Sequence, residues 1–336
     1  MALINLKDLL ANAKENKYAV GAFNISNLGL IDYLIEAAIE QRSPIILQVA
    51  EVHFKYFNFE KIARLIIEEA KNVNVPVCVH LDHGKSLSTI LMAIKSGFTS
   101  VMFDGSEFPL EKNINETREI VKVAKSIGVS VEGEIGNVGG EPIGESSPIA
   151  HSSDKALFTK VEEAICFYEK TGVDALAISI GNVHGVYKGS PEIDFERLLK
   201  IKEAIPIPLV LHGGSGISNN DFKKAINLGI CKINFYTEMS TAAVNKIKNY
   251  LSENPNSVSI PDVIAKGMEE LKKVVKDRIE VFGSKNVCNP NDAICVTCKD
   301  SSCSIEESFE KQINRNSTYN ELIEKIADEV ILNLKR

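Results

Sequence analysis

The chain has 336 residues, 44% of them hydrophobic, with 38 Lys+Arg against 45 Asp+Glu and a formal net charge of −7. That is enough apolar material for one large α/β barrel with additions, or for two ordinary domains. The acidic balance argues against a nucleic-acid partner or an anionic-membrane surface, and no apolar run approaches the ~20 residues needed to cross a bilayer.

The first 17 residues, MALINLKDLLANAKENK, read as an amphipathic helix and not as a signal peptide, so a soluble cytoplasmic protein is expected. Short β-branched runs then alternate with helical patterns. The strand candidates are 18–26, 44–50, 75–83, 100–106, 130–136, 175–181, 208–214 and 230–238. Amphipathic stretches at 30–41, 59–73, 86–97, 112–128, 159–172 and 194–205 lie between them, with apolar residues at i, i+3, i+4 spacing. The strands are apolar at nearly every position, as parallel strands covered on both faces are. Strand followed by helix, repeated to a count of eight, predicts a (β/α)8 TIM barrel. A doubly wound open sheet would favour a Gly-rich phosphate turn after the first strand, and AFNISNLG offers none. Two further helices are expected over 237–255 and 261–284, giving a barrel over 1–282 and a cysteine-containing loop with a C-terminal helix over 283–336.

An active site on such a barrel lies at the C-terminal ends of the strands. Asn24 ends the first strand, Asp82 and His83 the third, and Asp104 the fourth; Glu132 and Glu134 lie on the fifth. The sixth runs into GNVHGVYKG with His184 and Lys188. The seventh ends LHGGSG with His212 and Ser215, and the eighth carries Asn234 and leads to Thr237. Three histidines from separate strand ends suit Zn²⁺, leaving one coordination position open, although each could instead be a hydrogen-bonded core residue. His80 reads as a packed or supporting group. The glycines beside the histidines, with Lys188 and Ser215, suit an anion such as phosphate. Asp82, costly to bury on an apolar strand, reads as a general acid/base beside a metal-ligating His83, while Ser86 is the better cap for the following helix.

The pieces AFN (22–24), LDHG (81–84), VEGEIGNVGGE (131–141), GNVHGVY (181–187), LHGGSGI (211–217) and KIN..TE (232–238) together resemble the class II, zinc-dependent fructose-bisphosphate aldolases and the similar tagatose-bisphosphate aldolases. The resemblance implies a dimeric or larger barrel, a homodimer or homotetramer. It would cleave a ketose bisphosphate, fructose 1,6-bisphosphate first among them, to dihydroxyacetone phosphate and an aldehyde, glyceraldehyde 3-phosphate in that case. Carried across by motif, His83, His184 and His212 are the zinc ligands and Asp82 the residue that takes the C4 hydroxyl proton. Gly185, Lys188, Gly213, Ser215 and Thr237 hold the triose phosphate, with Asn24 and Asn234 near the triose. Asp104 and Glu134 match positions for a second divalent ion or a monovalent cation.

The sequence departs from that pattern in three places. After the second strand it reads Ala50-Glu51-Val52-His53 in place of a small Ser-x-Gly-Ala-like turn, and two residues beyond Asn234 stands the bulky Tyr236. The loop carboxylate for proton transfer at C3 is shifted to Glu141, or supplied by Glu145. Near the C-terminus Cys288, Cys295, Cys298 and Cys303 are spaced C-x6-C-x2-C-x4-C. That set could be a small zinc or Fe–S site, surface thiols, or one disulfide pair. A metal-dependent hydrolase would want His-x-His on the first strand, and a Schiff-base aldolase a reactive lysine, for which Lys188 and Lys232 are available. A metal- or thiol-sensing protein carried by the cysteines would leave the three histidines unexplained.

Overall fold

The computed structural model describes residues 3–138, 155–185 and 191–288. Eight parallel strands close into a barrel in sequence order: β1 (Val20–Asn24), β2 (Ile45–Ala50), β3 (Val77–Gly84), β4 (Ser100–Phe103), β5 (Ser130–Ile135), β6 (Ala175–Ile178), β7 (Leu209–Leu211) and β8 (Ile230–Phe235). Closure is completed by β1, which sets Ala22 beside Ile46 of β2 on one side and beside Asn234 of β8 on the other. The helices are α1 (Leu6–Asn16), α2 (Leu30–Gln41), α3 (Phe59–Lys71), α4 (Leu87–Lys95), α5 (Leu110–Ser126), α6 (Val161–Thr171), α7 (Phe195–Ala204), α8 (Asn219–Asn227), α9 (Thr237–Glu253) and α10 (Ile260–Val281). The TIM barrel expected from the alternation is therefore observed, and among the described residues no helix is long and apolar enough to cross a membrane.

Every residue of every strand is buried, because helices cover the outer face and the barrel fills its own interior. The larger apolar cluster lies between strands and helices. The smaller one fills the lower barrel: Val20, Ala22, Ile46, Cys78, Ala175, Ala177 and Val210 meet Leu6, Leu9, Leu10 and Ala13 of α1. The N-terminal helix is thus a plug for the N-terminal mouth, each of its buried leucines contributing about 1.5–3 kcal/mol.

Local signals placed the ends well. Ser86 caps α4 by accepting from the Thr89 amide at 3.2 Å, as its position predicts. The expected strand at 18–26 shortens to Val20–Asn24, because Lys17 turns left-handed to end α1 and the Tyr18 amide bonds back to Ala13. The helix expected from 112 starts at Leu110, directly after Pro109. A 3₁₀ turn at Glu51–Tyr56, unforeseen in the sequence, follows β2 and brings His53 inside. Beyond α10 the chain stays packed: Phe282 meets Phe222 and Phe235, Ser284 bonds Ser43, and the Cys288 amide donates to the Arg42 carbonyl.

Candidate active site

Above the apolar plug the barrel interior turns polar. Lys232 on β8 pairs with Glu132 on β5 at 2.8 Å, and Glu132 accepts from His212 of the segment after β7 at 3.0 Å. His80 on β3 meets Ser100 on β4 at 2.8 Å and lies 3.5 Å from the Lys232 ammonium. The contacts of Lys232 with Glu132 and His80 join strands that are not neighbours, and they run across the interior of the closed barrel. His80 is a supporting group, as read from the sequence. Burial, then the Lys232 charge, lowers its pKa to about 3 and keeps it neutral. Lys232 itself is fully buried and ion-paired, unlike a free Schiff-base amine.

Asp82 stands one layer higher. Its Oδ2 accepts from Asn24 at 2.8 Å and Gln48 at 3.3 Å, and its Oδ1 accepts from Asn234 at 3.0 Å. Burial pushes this carboxyl upward. The positive fields of His83, His212 and Lys232 and the Asn24 bond outweigh it, so Asp82 is held ionised well below the usual carboxylate range. That answers how an apolar strand tolerates it: three amides from β1, β2 and β8 replace its water.

His83 comes next along β3, and here the register against β4 shifts between Leu81 and Gly84. Its φ of 48° is left-handed, a costly conformation for a residue with a Cβ, and one that clusters at functional sites. The turn leaves Nδ1 of His83 donating to Asp104 Oδ2 at 2.8 Å. Asp104 also accepts from Lys85 at 2.7 Å and from the Ser106 hydroxyl at 2.6 Å. Burial alone would raise the Asp104 carboxyl, but His83, Lys85 and Ser106 drive it strongly down.

The three candidate metal histidines converge. The His83 ring centroid is 5.0 Å from that of His184 and 4.7 Å from that of His212, and the ring nitrogens of all three gather within 4.8 Å of one another. The tautomers follow from the acceptors. Glu132 can only accept, so Nε2 of His212 carries a hydrogen and Nδ1 a lone pair; Asp104 likewise leaves a lone pair on Nε2 of His83. Those two lone pairs face each other at 3.1 Å. Two acceptors at that distance require something positive between them, and the separation is near the ~3.3 Å edge of a tetrahedron with metal–nitrogen bonds of about 2.0–2.1 Å. Among the described residues both nitrogens of the buried His184 lack a hydrogen-bond partner. The donor set fits a metal ion. A proton fills the same role when it binds first: burial opposes it, but Asp82, Asp104 and Glu134 lift the His83 pKa to about 9.

Glu134 forms a second candidate group with His83 and Asp104. Among the described residues its Oε2 has no hydrogen-bond partner, and it lies 3.4 Å from His212 Nδ1; burial, then the Asp104 charge, raises its pKa to about 8. The described candidate phosphate residues line one pocket with His83 and His184. Gly185, Gly213 and Ser215 meet Thr237, the first residue of α9, beside Asn24, Asp82 and Asn234. The N-terminus of a helix this long favours an anion. Gly213 is required there: its φ is +61° and a Cβ would sit 2.0 Å from the Val183 carbonyl. Asn182 ties the two glycine loops, donating to the His212 carbonyl at 3.1 Å.

Lys188, Glu141, Glu145, Cys295, Cys298 and Cys303 lie outside the described residues. Cys288 is buried in the larger core cluster. Sequence reading missed Gln48, and it saw Glu132 without a task. A polar residue on the inward register of an otherwise apolar strand was the available signal for both.

A closed parallel barrel whose C-terminal mouth gathers three imidazoles able to hold a metal ion, a desolvated carboxylate and a glycine-lined pocket has the layout of an enzyme site. Comparison with known proteins sharpens this. The family described as fructose-bisphosphate aldolase class-II matches residues 4–287. A sulfofructosephosphate aldolase of Alkalicoccus urumqiensis is 41% identical over 286 residues, 85% of this chain and 98% of that protein. A fructose-bisphosphate aldolase of Staphylococcus aureus is 39% identical over 289 residues, 85% of this chain and 99% of that protein. Among solved structures, the YdjI aldolase of Escherichia coli K12 superposes with a TM-score of 0.75 at 32% identity, over 85% of this chain and all of that one. The fructose-bisphosphate aldolase of Campylobacter jejuni does so with a TM-score of 0.71 at 26% identity, over 85% and 97% of the two chains. The chain belongs to the class II fructose-bisphosphate aldolase family. It is an aldolase, hence a lyase, of a family that is metal-dependent and acts on phosphosugars.

Proposed function

We propose that the enzyme reversibly cleaves fructose 1,6-bisphosphate to dihydroxyacetone phosphate and glyceraldehyde 3-phosphate, with Zn²⁺ held by His83, His184 and His212. The observation that carries this reading is Asp82, ionised and desolvated, with its carboxylate 3.9 Å from the metal-facing nitrogen of His83. The chemistry supplied by bound zinc is Lewis-acid stabilisation of the negative charge that builds on the triose half.

The other roles belong to the chain. Asp82 takes the proton from the C4 hydroxyl; the C3–C4 bond breaks, its electron pair stays with the triose half, and C4 departs as an aldehyde. A proton then reaches C3 of the triose, the role proposed for Glu141. Asn24, Gln48 and Asn234 orient Asp82, so no repositioning is needed as the proton moves. Asn24 and Asn234 also flank the triose. Gly185, Gly213, Ser215 and Thr237, with Lys188, hold the triose phosphate. Asp104 fixes His83 through its Nδ1, and Asp104 and Glu134, in this reading, accept a second cation. The enzyme works as a homodimer or homotetramer in the cytoplasm.

A second reading, a ketose 1-phosphate with another terminus, is favoured by the rim around His53 and Tyr236 and by the relative named for sulfofructosephosphate. The test is a substrate panel of fructose 1,6-bisphosphate, tagatose 1,6-bisphosphate and fructose 1-phosphate, on chelator-treated enzyme before and after zinc is restored. Zinc-dependent cleavage, fastest for fructose 1,6-bisphosphate, supports the first reading. Cleavage that survives chelation, or borohydride trapping of substrate on a lysine, contradicts it.

A further inference from the structure

The turn after β2 holds a histidine whose hydrogen-bonding capacity is unspent. His53 lies three residues past the end of β2, is fully buried, and among the described residues has no hydrogen-bond partner on either ring nitrogen. Leaving both unpaired is costly, so a native structure that keeps such a group calls for an explanation. Burial lowers its pKa to about 4 against the pull of Asp82, so the ring is neutral, with one N–H and one acceptor nitrogen.

Its neighbours place it. The Tyr236 ring is 5.3 Å away and the Tyr56 ring 6.2 Å away. Tyr236 lines the same pocket as Asp82 and Asn234. Because β2 and β8 both flank β1, this pair reaches across the end of β1, and His53 sits one side-chain layer behind the pocket wall. The rest of the mouth has other tasks. Imidazoles occupy the β3, β6 and β7 ends, glycines and α9 take the anion, and Asp104 and Glu134 keep the β4 and β5 side acidic. With C4 at Asp82, the carbons beyond it run toward the β8–β1–β2 rim. From Glu51 to Asn58 and from Phe235 to Glu238 the single permanent cation is the exposed Lys55, drawn over the Tyr56 ring at 4.9 Å.

Resting on the aldolase reading above, we propose that Tyr236 and His53 form the subsite for the aldehyde half of the substrate, selecting it by neutral hydrogen bonds to a hydroxylated chain and not by ion pairing. Tyr236 is the contact surface. His53 is a positioning residue that packs against the Tyr236 ring and sets it from behind the pocket wall.

The full-length zinc-loaded enzyme provides the test, through two measurements. Cleavage of fructose 1,6-bisphosphate and of fructose 1-phosphate engages both halves of the site; proton exchange at C3 of dihydroxyacetone phosphate engages the triose half alone. In Tyr236→Phe and His53→Ala, kcat/KM for both ketoses should fall about tenfold or more, mostly through KM, while exchange stays within about twofold of wild type. His53→Gln, which keeps a donor and an acceptor, should recover part of the loss. The proposal is overturned if exchange falls in step with cleavage, if cleavage is unchanged, or if the bisphosphate alone suffers, which would make the contact one with the terminal phosphate. Wild-type enzyme that neither exchanges dihydroxyacetone phosphate nor cleaves either ketose would instead overturn the substrate reading on which the proposal rests.

Discussion

The lower and upper halves of this barrel are made from the same eight strands, yet their interiors have opposite chemistry. Below, Val20, Ala22, Ile46 and Cys78 close on Leu6, Leu9 and Leu10 of α1. Two residues further along the same strands stand Asn24, Gln48 and His80, with Asp82 above them. Stability and reactivity are thus separated by one step of the pleat: the lower half gains from burial, whereas the upper half spends burial on charges that only their mutual contacts make tolerable. Substitutions in the two halves should therefore fail in different ways.

The largest effect is expected from Asp82→Ala, which should keep its metal and lose about 10²–10⁴-fold in kcat, the scale of a general acid/base. Metal analysis alongside steady-state cleavage checks it, and normal turnover would remove Asp82 from the role given to it. Glu132→Gln crosses the divide. It leaves Lys232 buried without its charge partner, at a cost of about 3–5 kcal/mol, and it loosens His212, lowering metal affinity about 10–100-fold. Denaturant unfolding and a zinc-buffered titration read the two consequences separately. Leu10→Ala in the plug should cost about 2–5 kcal/mol while leaving kcat unchanged.

Acid should act on the upper half. His80 and His53 have folded pKa values of about 3 and 4 against 6.5, so the unfolded chain takes up their protons first and stability falls as pH drops below 6.5. Glu132, where burial is outweighed by Lys232 and the bond from His212, sits at about 2 against 4.5, and its contribution is lost as pH falls from 4.5 toward 2. Unfolding free energy measured on metal-free protein should therefore decline from pH 6.5 downward. The smallest effect is the α4 cap, where Ser86→Ala should cost about 1 kcal/mol with no change in substrate KM.

Much of this was legible in the sequence because it is local. The barrel shows in the alternation of apolar runs and amphipathic stretches, and the residues just past each run are the rim. That is why His83, His184 and His212 could be read together, and why Ser86 could be read as a cap. What stayed hidden depends on closure. Lys232 and Glu132 are 100 residues apart, and Asn234 and Asp82 are 152 apart. No periodicity pairs them; the barrel does. His53 gave no sign of burial in the sequence, because one of the rings packed on it is Tyr236, which follows β8 and lies 183 positions away. The α1 helix showed its apolar face without showing that the face plugs a mouth.

The central claim is that three imidazoles from separate strand ends jointly hold one catalytic ion. Elemental analysis of wild-type enzyme and His184→Ala, with the melting temperature of each metal-free form, tests it most directly. The account predicts stoichiometric zinc in the wild type, little or none retained at this site in the variant, and melting temperatures close together, since among the described residues the His184 ring makes no hydrogen bond for the fold to lose. A variant that binds zinc as tightly as the wild type, or wild-type enzyme fully active without any transition metal, would contradict it.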